Sequence, residues 1–225
     1  MCGRFLLYAD PKTLAMKFDF HLAVDFEHRY NIAPSQEVPV VRYEPANDRR
    51  EMVRMRWGLV PFWADDESCV NRLINARAET VHEKPAFRNA FAKCRCIVVA
   101  SGFYEWKKLN GSKQPYLIKL ANDEPMAFAG IWEPRSKGDE SSESFAIITT
   151  EANEQISSLH DRMPVILSEQ DVDTWLDEDS EDEALKELLR PTEQELEYYL
   201  VSRKVNSPKN DSKELIERAD DGELW

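Results

Sequence analysis

The chain has 225 residues and a net charge of −13, long enough for one large domain with a substantial core and too acidic for whole-surface attraction to nucleic acid. Hydrophobic residues make up 42%, an ordinary share for a soluble globular protein, and no run approaches the roughly 18 apolar residues a membrane span needs. The start lacks the basic-then-apolar layout of a secretion signal, and the four cysteines (Cys2, Cys69, Cys94, Cys96) do not suggest a disulfide framework, so the cytosol is the expected compartment.

Residues 2–8 read as a strand. Asp10-Pro11 then offers an N-cap followed by proline at the first helical position, with Leu14, Ala15 and Phe18 as the apolar stripe. Residues 30–34 read as a loop. Strands are expected at 38–43 and 51–57, separated by a polar turn at Asn47-Asp48. Residues 57–63 are dense in aromatics and broken by Gly and Pro, which predicts a structured loop. A short helix is expected over 85–93, with Phe87, Ala90 and Phe91 on one face.

The most apolar strand is 94–100, and 102–106 follows it closely. Asn110-Gly111 is a turn leading into strands at 115–120, 126–132 and 144–150. Ser168 can cap a helix running to Trp175, an acidic helix lies around 184–189 before Pro191, and a last strand is expected at 198–205. Short strands with few long helices predict an α+β fold: one domain spanning 1–225 around a curled, barrel-like mixed or antiparallel sheet with flanking helices. Residues 177–197 hold ten acids and two bases, a net of −8 that leaves −5 for the rest. That segment reads as an acidic surface, and a local basic groove elsewhere is still possible.

The most informative residue for chemistry is Cys2. Removing Met1 would leave a free α-amine on the carbon next to the one that carries the thiol. Such a 1,2-aminothiol condenses with an aldehyde to an imine, and the thiol then closes a thiazolidine. The amine titrates at about 7.7–8 and the thiol at about 8.5, so both nucleophiles are accessible near neutrality. Position alone leaves open a small residue entering the first strand.

Three further segments set polar residues in apolar surroundings. In 73–80, Asn75, Arg77 and Glu79 share one face at strand spacing; Arg77 suits a phosphate, although an exposed polar face fits equally well. Glu105 lies among Phe103, Tyr104 and Trp106, a setting that raises a carboxyl pKa toward acid–base use, unless a structural arginine pairs it. His160, beside Asp161 and Arg162, can exchange a proton at neutral pH or serve as a structural histidine, and Arg162 could hold a second phosphate. Cys94-Arg95-Cys96 has the wrong spacing for a zinc site, and no phosphate-binding glycine loop occurs. No metal or cofactor is expected.

Six blocks in register resemble the SOS response-associated peptidase (SRAP) family over residues 2–216. They are Met1-Cys2-Gly3-Arg4-Phe5, Tyr30-Asn31-Ile32-Ala33-Pro34, Trp57-Gly58-Leu59-Val60-Pro61 with Trp63, Ile74-Asn75-Ala76-Arg77-Ala78-Glu79-Thr80, Gly102-Phe103-Tyr104-Glu105-Trp106 and His160-Asp161-Arg162-Met163-Pro164. The resemblance implies a monomeric sensor of abasic sites in single-stranded DNA, cytoplasmic or nucleoid-associated, that crosslinks through Cys2. It also implies AP-lyase activity and self-removal of Met1. By the same resemblance Asn75 holds the adduct, Glu105 moves protons, and His160 assists at the sugar oxygens. Arg4, Arg77 and Arg162 would meet phosphates, and Trp63 would stack beside the lesion. The acidic run 64–67 next to Trp63 leaves the wedging residue open.

The main rival is an N-terminal-nucleophile cysteine hydrolase, a peptidase or amidohydrolase, which also uses a free amine on its first residue. The Arg-Gly-Pro-Asp and Asn-Gly-Glu motifs expected of a glutaminase are absent from the sequence.

Overall fold

An odd number of strands cannot alternate in direction all the way round a barrel, and this fold shows the consequence. In the computed structural model, which describes residues 2–64, 73–109, 111–137 and 140–219, five strands close on themselves. They are β4 (Glu37–Glu44), β5 (Arg49–Trp57), β7 (Arg95–Ala100), β10 (Met126–Lys137) and β11 (Glu140–Glu151). The pairs β11–β10, β10–β7, β7–β4 and β4–β5 are antiparallel. The closing pair, β5 with β11, is parallel, with Ser144 opposite Arg56 and Phe145 opposite Trp57.

Short strands extend the barrel sheet: β2 (His21–Leu22), β6 (Asn75–Arg77), β12 (Arg162–Pro164) and β13 (Ile166–Leu167). β6 runs parallel to β11, and β12 antiparallel to it. A second sheet has the order β14-β9-β8-β1-β3. Its strands are β1 (Phe5–Leu7), β3 (Arg29–Ile32), β8 (Gly102–Leu109), β9 (Ser112–Leu120) and β14 (Leu196–Leu200).

An aromatic chain fastens this sheet to the barrel. Phe5 meets Trp57 edge-on at 5.1 Å and Phe128 at 6.3 Å, Phe103 meets Phe128 at 5.9 Å, and Trp57 stacks on Phe145 at 6.4 Å. Each pair contributes on the order of 1 kcal/mol beyond its buried area. Trp57 also donates from its indole to Ile74 O at 3.0 Å, which holds the start of β6 against the barrel.

Among the described residues, four α-helices flank the sheets: α1 (Pro11–Phe18), α2 (Arg88–Lys93), α3 (Glu169–Leu176) and α4 (Asp182–Glu187). Asp10 caps α1, and Ser168 forms a capping box with Asp171 at the start of α3, as the sequence predicts. The buried guanidinium of Arg95 donates to Phe91 O, Ala92 O, Trp175 O and Asp177 O. One side chain thus satisfies the carbonyl ends of α2 and α3 together. Among the described residues, no helix is long and apolar enough to cross a membrane.

The expected strands and helices appear with shifted ends. Of residues 30–34, expected as a loop, 30–32 instead belong to β3, because β1 offers them a partner: Phe5 pairs with Ile32. The last strand stops at Leu200, and 203–206 turn into a 3-10 helix rather than continuing to 205. β6 ends at Arg77, so Glu79 lies in the following turn and does not share a strand face with Asn75. Nine of the ten acids in 177–197 are exposed. Cys69, Asn110 and residues 65–67 of the acidic run lie outside the described residues.

Candidate active site

Cys2 sits just ahead of β1 and is fully buried. β1 pairs with β8 in the register Phe5 to Phe103, and Tyr104 N donates to Arg4 O at 2.9 Å. That ladder carries Glu105, the next residue of β8, to the Cys2 end of the sheet. β6 arrives from the barrel side, and Asn75 Nδ2 donates to Cys2 O at 2.7 Å. Its Oδ1 is buried with no hydrogen-bond partner among the described residues, an acceptor open to an incoming N–H or O–H. His160 precedes β12, and its Nε2 lies 4.0 Å from Glu105 Oε2.

Cys2, Asn75, Glu105 and His160 therefore form one cluster. Residues from four distant places in the chain meet because β11 carries β6 and β12 at one end, while β8 brings in Glu105.

The electrostatics divide the proton roles. Glu105 is 3% exposed, and burial pushes its carboxyl up to about 7. It is half-protonated near neutrality, as a proton shuttle requires. Burial and then the nearby Glu105 charge push the Cys2 thiol well above its usual range. The resting group is a thiol that needs a base.

Burial lowers His160 below the ordinary histidine value, so the imidazole is neutral at pH 7. Its Nδ1 accepts from Arg162 N at 2.9 Å, which puts the neutral-form proton on Nε2, facing Glu105. Asp161 Oδ1 also lies 2.9 Å from Nδ1 and would receive its hydrogen bond once the ring is protonated. Asp161 was no part of the expected site, although its place next to His160 was the available signal.

The expected phosphate contacts divide: Arg162 and Arg77 both border Glu79, whose carboxyl both hold below its ordinary value, while Arg4 lies apart. Arg77 is exposed, and its guanidinium makes no hydrogen bond or ion pair among the described residues. Arg162 is instead engaged by both nitrogens with Glu79 and also donates to Thr149 O. Arg4 is half-buried: it donates to Asn31 Oδ1 at 2.7 Å and Val205 O at 2.8 Å, and lies over the Trp106 ring at 5.8 Å. Asn31 in turn donates to Val205 O, Ser207 O and Asn210 O, so Arg4 helps clamp the C-terminal segment.

Trp63 is 55% exposed and its neighbour Phe62 63% exposed. Their loop is anchored by Gly58 N to Phe145 O and Leu59 N to Leu73 O, two residues before Asn75. Two solvent-facing aromatics side by side had a legible signal in Pro61-Phe62-Trp63, but Phe62 was not among the expected site residues.

The sequence matches the family "SOS response associated peptidase (SRAP)" over residues 1–208. This chain is an SRAP protein. It is 41% identical over 224 residues to abasic site processing protein YoqW of Bacillus subtilis, covering 96% of this chain and 99% of that one. It is 32% identical to abasic site processing protein YedK of Escherichia coli, with 96% and 99% coverage. Against abasic site processing protein HMCES of Gallus gallus it is 35% identical over 83% of this chain and 65% of that protein. Among solved structures, a Bacteroides thetaiotaomicron protein superposes with a TM-score of 0.87 at 27% identity, covering 97% of this chain and all of that one. That protein shares the barrel-and-sheet arrangement described above.

Proposed function

We propose that this SRAP protein processes abasic sites in the DNA damage response, by linking Cys2 covalently to the ring-opened sugar in single-stranded DNA. The observation that carries the reading is the 2.7 Å bond from Asn75 to the Cys2 carbonyl beside Glu105. A structural cysteine at a strand entry has no use for a buried proton donor–acceptor titrating at about 7. The names of its relatives point the same way.

Loss of Met1 gives Cys2 its free amine. That amine adds to the C1′ aldehyde, forming a carbinolamine. Glu105, in its protonated form, gives its proton to the departing hydroxyl, which leaves as water and produces an iminium. The resulting carboxylate takes the thiol proton as sulfur bonds to C1′. The products are a neutral thiazolidine, one water and a re-protonated Glu105, so the carboxyl ends where it began. This order explains why a thiol held above its usual range is tolerable: the base appears only after the amine has reacted.

His160, neutral with its proton on Nε2, is placed to protonate the ring oxygen as the sugar opens. In a lyase branch it would serve at the imine stage, where loss of the C2′ proton expels the 3′ phosphate. Asn75 Oδ1 accepts from the adduct, while Arg77, and Arg162 once Glu79 releases it, meet the backbone and Trp63 with Phe62 stacks beside the gap. Arg4, expected on a phosphate, serves the site by holding the C-terminal segment. The same reading has the protein act as a cytoplasmic or nucleoid-associated monomer that removes Met1 itself.

The test is a denaturing gel of protein incubated with a single-stranded oligonucleotide carrying one abasic site. A shifted band with wild type and none with Cys2→Ala supports the link. Peptide or glutamine turnover without that band would replace it with a hydrolase.

A further inference from the structure

In a chain of net charge −13, residues 106–120 and 201–210 contain no acid at all. They carry Lys107, Lys108, Lys113, Arg203, Lys204 and Lys209, together with Lys119, which Asp123 and Glu197 hold. The fold puts the two segments side by side. Val201 N donates to Pro115 O at 3.2 Å, and Arg203 donates to Gln114 Oε1 and Ser112 Oγ, both at 3.1 Å. Trp106 donates from its indole to Asn206 Oδ1 at 2.7 Å.

Lys108 pairs directly across the β8–β9 ladder with Lys113, and both are exposed. Like charges at directly opposed positions destabilise a hairpin, and among the described residues neither lysine has an acidic partner. Lys204 has only a 3.7 Å contact with Glu214, both well exposed, a pair of little strength. A cost retained in the sheet without an internal counter-charge calls for an external anion.

The position names the anion. β8 carries Glu105 in the cluster and Lys107 on the same face two residues further out, roughly 7 Å along the strand at about 3.4 Å per residue, while Trp106 and the Lys108–Lys113 pair lie on the opposite face. On that opposite face Trp106 lies under Arg4. Basic residues thus follow the Cys2 site outward on both faces of the hairpin, Lys107 on the site's own face and Lys108 and Lys113 on the other, while the acidic 177–197 segment supplies nothing to attract a polyanion elsewhere.

We infer that the outer part of the β8–β9 hairpin, with residues 203–209 beside it, is a basic wall that holds the phosphate backbone of the single strand flanking the lesion. This deepens the proposed function and rests on it. In an acidic protein such a wall concentrates the favourable field where the strand must lie, and it explains affinity for DNA on either side of a site that offers no base to read.

The probe is intact single-stranded DNA, a 20-mer, bound by wild type and by the Lys108→Gln/Lys113→Gln double variant across a salt series. The expected result is a salt slope smaller in the variant by about 1.4, two phosphate contacts at about 0.7 each. Its melting temperature should equal or exceed that of wild type, because the opposed charges are gone. Lys209→Gln, outside the sheet, should lower the slope by about 0.7. With abasic oligonucleotides, the variant's crosslinking deficit should grow from a trinucleotide to a 20-mer.

Unchanged slopes in both variants, with wild type still crosslinking, would remove the wall and leave the Cys2 reading intact. Lowered slopes in a protein that never crosslinks would keep the wall and remove that reading. If wild type binds no strand at all, both fall. Unchanged slopes together with loss of a concentration-dependent dimer in the variants would assign the surface to a second copy of this chain instead.

Discussion

The guanidinium of Arg162 grips the carboxylate of Glu79 through both terminal nitrogens, although the two residues lie 83 positions apart. A carboxylate in that fork occupies the geometry a phosphate would take. Glu79 is half-exposed and Arg162 mostly buried, so the carboxylate is the partner that can swing away.

Glu79→Gln should therefore tighten binding to single-stranded DNA by about 3- to 10-fold at low salt, an effect that fades as salt rises. Fluorescence anisotropy across a salt series checks it. A weaker affinity would mean that Glu79 holds Arg162 in its working pose rather than competing for it.

Glu105 predicts a pH dependence with a definite sign. Its carboxyl is raised from an ordinary 4.5 to about 7, so the folded state binds the proton more tightly than the unfolded chain. That contribution is fully present below pH 4.5 and lost as pH rises through 7, about 3 kcal/mol at 1.36 kcal/mol per pH unit. Denaturant titrations at pH 5 and 8 should show this loss in wild type and not in Glu105→Gln. Crosslinking should also decline above pH 7 in wild type, and the variant should be slow at every pH.

Asn75→Ala removes the donor to Cys2 O. We expect crosslinking to slow by about 10- to 100-fold, the effect of a misplaced nucleophile, with a larger loss in crosslinking than in binding to intact strands. Stability should drop by about 1 kcal/mol. Equal losses in crosslinking and binding would instead make Asn75 a DNA contact.

Gly102 starts β8 with the neighbouring strand's backbone close against its Cα. A Cβ there would stand 2.7 Å from Ile118 O and 3.2 Å from a Leu117 methyl. Backbone cannot yield as a side chain can, so Gly102→Ala should destabilise by about 1–3 kcal/mol. It should also slow crosslinking by shifting Glu105 three residues on. Thermal melting and the crosslinking assay together check both effects.

Much of this site was legible before the fold. Glu105 between Tyr104 and Trp106 already described a buried carboxyl, since three aromatics leave it little water. Cys2 and the Ser168 cap likewise depend on neighbours within a few residues. Local chemistry of this kind is written into the order of the chain.

What the tertiary structure decided depended on partners far along the sequence. Residues 30–32 became a strand because β1 presented unpaired backbone groups to them, a fact no window around Tyr30 contains. Arg162, expected on phosphate, met Glu79 because β6 and β12 both dock on β11. Lys108 and Lys113 became an opposed pair only when the hairpin register was set. The physical reason is common to all three: propensity and burial tendency act over a few residues, whereas hydrogen-bonded ladders and ion pairs are completed by whichever distant segment the closed barrel brings alongside.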